Sequence, residues 1–226
     1  MLGWLARTLT DRHGVEVSGF DLPGLDESAV REFVAAVDRV LTDYPAIVVD
    51  LVAVADLGGD GAIARWERRP GAGRSPAVRS ITLDEGVARE PRRTVAATSG
   101  LDVERDDWPP ADLPIYAATV REFASALDSA GGGVVGRSVQ RILIAEYLRS
   151  IAGRYTTLGE VVRGYRRWRA ELTGDTGDVN GFDVRRALGR AFADVVLHGG
   201  SASVQARVVY EALMDAVSLP QGRGGD

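Results

Sequence analysis

The chain has 226 residues, 45% hydrophobic and 26% charged, an ordinary globular balance for one large domain with a small extension. Its net charge of −5 counts against a general nucleic-acid binder, and the absence of cysteine excludes disulfides and thiolate metal sites. No apolar run approaches the ~20 residues of a membrane-spanning helix, and the opening MLGWLARTLTDRHG is too short and too polar for a signal peptide.

Residues 1–19 read as an amphipathic lead-in or docking segment, with Leu2, Leu5 and Leu9 on one helical face. Over 26–43 a helix is expected, because Val30, Phe33, Val34, Val37, Val40 and Leu41 recur at helical spacing. Asp26 supplies its N-cap and Pro45 closes the segment. The run AIVVDLVAVA at 46–55 reads as a central strand. Residues 57–79 hold GGDG and RRPGAGRSP, which reads as a long loop or as a hairpin with a mobile tip around 63–66. RSITL at 79–83 is a second short strand, and 84–100 is helical with a restart at Pro91. The acidic, Pro-rich stretch 101–114 is the candidate hinge. Pro114 then opens a helix over 115–130 that Gly131 to Gly133 end. Helices follow over roughly 139–152, 158–172, 184–197 and 202–217, and the tail 219–226 reads as disordered. Strands segregated from helices predict an α+β domain over 20–218, with a small sheet near the N-terminal half and a mostly helical C-terminal half.

The most informative stretch is TVREFASALD at 119–128. A zinc-peptidase helix carries two His at i and i+4, with a Glu directly after the first. Glu122 is in place, but Arg121 and Ser125 stand at the histidine positions. Helical spacing aligns Arg121, Ser125 and Asp128 on one face and turns Glu122 about 100° away. Ile115, Thr119, Phe123, Ala126 and Leu127 supply the buried surface.

Four blocks extend this pattern: FDLPGLDESAVREF at 20–33, SITLDEGVAREP at 80–91, LPIYAATVREFASALDSAGGG at 113–133 and RALGRAFADVVLHGGSAS at 186–203. On these blocks the chain resembles the zincin-type metallopeptidase-like domains of actinobacterial phage head-morphogenesis proteins and polymorphic toxins. In that family the first helix typically reads H-E-F-G-H-A-L-D. A later helix reads E-A-L-A-E-A-F-A-D, and one of its glutamates is expected to complete the metal site. Here Arg186 and Arg190 occupy both glutamate positions, while Phe123, Ala126, Leu127, Asp128, Phe192, Ala193 and Asp194 persist.

The resemblance thus implies a zincin-like scaffold stripped of its ligands. Arg121, Ser125, Arg186 and Arg190 are vestigial metal positions, Glu122 is a vestigial base, and neither metal nor cofactor is expected. It implies a catalytically inactive pseudoenzyme serving as a structural or interaction module. The setting would be a phage or prophage virion, as a minor head protein with protein partners such as phage head proteins, in the cytoplasm or the virion. Two alternatives stay open: an active metal-dependent hydrolase or toxin-type effector with a non-standard site, and a regulatory binder of an active homologue. A charge swap is also expected, with Arg121, Arg186 or Arg190 supplying the lost zinc charge and pairing with Glu122, Asp128 or Asp194. Against it stands the simpler picture of arginines extending into solvent.

Other chemical signals are weaker. His13 and His198 lack ligand spacing, and His198 at a helix end suits the helix dipole. DLGGD at 56–60 and GDTGDVNG at 174–181 lack the twelfth-position Glu of an EF-hand and read as turns. Ser18 and Ser99 have no partner His, and the glycines at 58–61 and 71–73 lack P-loop and dinucleotide-binding spacing. The basic run Arg163, Arg166, Arg167 and Arg169 is read as a solvated helix face with Tyr165 and Trp168 packed inward, ahead of a nucleic-acid patch.

Overall fold

The computed structural model of the chain describes residues 2–59, 61–71, 76–91, 114–152, 157–173 and 182–218. The expected helix beyond Pro91, the hinge up to Pro114, the loop at 174–181 and the tail at 219–226 lie outside these residues, as do Ser99 and most of the glycine-rich stretch at 71–73. The chain divides into two compact units, residues 1–126 and 127–226.

The first unit contains α1 (Leu2–His13), β1 (Glu16–Ser18), α2 (Glu27–Asp43), β2 (Leu51–Ala55), β3 (Ala64–Arg69), β4 (Val78–Asp84), α3 (Glu85–Arg89) and the greater part of α4 (Pro114–Ala130). The four strands form one sheet in the order β1-β2-β4-β3. β1, β2 and β4 run parallel, and β3 lies antiparallel at the edge. The segment read as a lead-in therefore supplies both a helix and a strand of this unit. Leu5 and Leu9 of α1 are buried, and α1 is tied to α2 where His13 Nε2 meets Asp38 Oδ1 at 2.8 Å. Asp26 caps α2 as expected, accepting the Ala29 N–H at 3.0 Å, and Val30, Phe33, Val37 and Val40 form its buried face. Gly19 is required between β1 and α2. Its φ is +79°, and a Cβ there would stand 2.1 Å from the Val54 carbonyl oxygen.

Two strand expectations need correction. The run at 46–55 is strand only over Leu51–Ala55, because Pro45 and the Ile47 N–H bonded to the Tyr44 carbonyl bend its first residues into a turn. The stretch at 57–79 is the hairpin alternative, but residues 64–66 begin β3 rather than its tip, so the connection lies beyond Arg69. ARWERR lacks the apolar alternation of a buried strand, and among the described residues it pairs with β4 alone.

The second unit takes the end of α4 and adds α5 (Val134–Ser150), α6 (Leu158–Thr173), α7 (Val184–His198), a 3-10 turn at Gly199–Ser201 and α8 (Val204–Ser218). Its core centres on Leu143, Phe192 and Leu213, all fully buried. Helix α5 begins five residues earlier than the sequence suggested, because a side chain from α4 supplies its cap. Asp128 Oδ1 accepts the N–H groups of Val135 at 3.1 Å and Gly136 at 3.0 Å. Asp183 caps α7 through the Arg186 N–H at 3.0 Å. The chain is α+β, with its small sheet in the N-terminal half and a mostly helical C-terminal half, as the segregation of strand and helix patterns anticipated.

Candidate functional site

Helix α4 presents the faces its spacing dictates. Ile115, Thr119, Phe123, Ala126 and Leu127 are all buried. Arg121 is exposed, and Ser125 and Asp128 are half-buried. Glu122 is also half-buried, and its Oε2 accepts the backbone N–H of Trp66 at 3.0 Å.

The sheet register explains why that amide is available. The Asp84 N–H donates to the Ile63 carbonyl at 3.0 Å, so 63 and 84 face each other as a hydrogen-bonded pair. Antiparallel alternation then makes Trp66 and Ile81 a non-hydrogen-bonded pair. The Trp66 N–H points away from β4, on the side of β3 where Glu122 meets it. An edge amide in a half-buried place costs free energy if left unmet, and a carboxylate is the strongest uncharged-donor acceptor available to it.

A second carboxylate holds the start of the same helix. Glu32 on α2 accepts the backbone N–H groups of Ile115 and Tyr116, two of the amides that an α-helix leaves unbonded at its N-terminus. Burial pushes the Glu32 carboxyl above its ordinary value, the two amides pull it down, and nearby Asp26 adds to the rise. Its Oε2 is buried with no hydrogen-bond partner among the described residues.

In the second unit Asp194 gathers His198 and Ser203. Its Oδ1 lies 2.7 Å from His198 Nδ1, and its Oδ2 accepts the Ser203 N–H at 3.0 Å and hydroxyl at 2.8 Å. Ser203 Oγ in turn accepts the Ala206 N–H at 3.2 Å. Burial pushes Asp194 up, but the Ser203 amide and hydroxyl, with His198, outweigh it and hold the carboxyl below its ordinary value. An acid, a histidine and a serine are together here, yet both bond to the acid. A nucleophilic serine bonds to the histidine that takes its proton. The arrangement instead caps α8 and joins it to the end of α7.

Of the positions that the resemblance implied to be vestigial, Arg186 is exposed and Arg190 half-buried. Among the described residues no group of three or more His, Cys, Asp or Glu side chains is arranged to hold a metal ion. His13 and His198 each meet an aspartate, Asp38 and Asp194. In the DLGGD loop the Gly58 N–H donates to Asp56 Oδ1 at 2.8 Å, and Gly58, Gly59 and Gly61 have positive φ; Asp60 lies outside the described residues. That is turn chemistry. Along α6, Arg163, Arg166 and Arg167 are exposed, whereas Tyr165 and Trp168 pack with Tyr147. Arg169 lies over the rings of Tyr165 at 5.7 Å and Phe182 at 5.3 Å.

Three roles escaped the sequence: Trp66 as the partner of Glu122, Glu32 as the holder of α4, and Asp128 as the cap of α5. Only the last left a local signal, an aspartate just ahead of three glycines and a new helix. No described helix is long and apolar enough to cross a membrane. No family model, curated protein or solved structure matches this chain.

Proposed function

We propose that the chain is a catalytically inactive, zincin-like pseudoenzyme that works as a structural or interaction module, and that its setting is a phage or prophage particle in which it is a minor head protein. The observation that carries this reading is the use of Glu122. In a zinc peptidase the corresponding carboxylate takes a proton from metal-bound water. Here the carboxylate is bonded to the Trp66 amide on the sheet edge. Its neighbours at the ligand positions are Arg121 and Ser125. Arginine offers no lone pair to a metal, and serine is not among the usual zinc ligands. A carboxylate that ties a helix to a strand has a structural task whether or not it ever had a catalytic one.

The particle setting rests on the sequence resemblance alone, since a fold does not fix a function. The catalytic half of the reading is tested with unstructured protein substrates in the presence of added zinc. Cleavage should equal the buffer background for wild type and E122Q alike. Cleavage by wild type that E122Q abolishes would overturn the reading in favour of an active hydrolase. The setting is tested by mass spectrometry of particles induced from the source strain: the chain should co-sediment with the head proteins, and its absence from the particles would remove that assignment.

A further inference from the structure

We draw no further inference here: the strongest candidate, the exposed apolar side chains of Ile144 and Leu148 on α5 and of Leu158 and Val162 on α6, carries nothing because nothing in the structure shows what covers them.

Discussion

A carboxylate drawn partly out of water needs hydrogen-bond donors, and Glu122 and Glu32 both find them in backbone amides. Glu122 is bonded, to the Trp66 amide. Replacing it with alanine strands that amide and should lower stability by about 1–3 kcal/mol in urea denaturation, with E122Q losing less than half as much. Equal losses for the two would mean that the acceptor is immaterial. Glu32 leans the other way, because burial outweighs its two amide bonds and raises its pKa above the ordinary 4.5. A raised carboxylate pKa means the native state binds the proton more tightly than the unfolded chain. Its contribution is fully present below the ordinary value and is lost as pH rises through the folded one. E32Q keeps an acceptor for Ile115 and Tyr116 without the buried charge. It should be more stable than wild type near pH 7, with the gain fading as pH falls through the raised folded-state pKa and gone below the ordinary 4.5; a thermal-melt series across pH reads this directly. Asp194 has the opposite sign. Its lowered pKa gives stability above 3.8 that is lost as pH falls, so D194N should cost stability at neutral pH and progressively less in acid.

The elements were legible where their signals are local. The Asp26 cap, the apolar spacing of α2 and the Pro114 start and glycine stop of α4 sit within a few residues of what they control. β3 was not legible as a strand, because ARWERR has no apolar alternation and is held by β4 on one side and by a glutamate 56 positions away on the other. The start of α5 was misplaced because its capping side chain belongs to the previous helix. That cap makes a sharp prediction. A Cβ on Gly136 would lie 2.6 Å from Asp128 Oδ2. Glycine to alanine inside a helix ordinarily gains about 1 kcal/mol. Here G136A should instead lose about 1 kcal/mol, since it displaces the carboxylate that caps the helix. D128A should cost a similar amount, about 1 kcal/mol. In the D128A background G136A should turn stabilising, and a double-mutant cycle by chemical denaturation that shows simple additivity would contradict this.

At the scale of the whole molecule, strand and helix patterning read correctly as α+β, because segregation of the two periods is a property of the full sequence. The candidate site was legible only in part. Its residues could be named from spacing along one helix, but the task of Glu122 depends on a strand that the sequence did not announce. That task supports the proposal that the chain is a scaffold without peptidase chemistry. The proposal is tested most directly by the metal content of the full-length protein, purified without metal-affinity steps, dialysed against buffer with trace zinc and measured by elemental mass spectrometry. If Arg121, Ser125, Arg186 and Arg190 stand where the proposed ancestor held its metal ligands, the chain should carry well under about 0.1 zinc per molecule. About one zinc per chain, surviving dialysis and lost on unfolding, would contradict the pseudoenzyme outright.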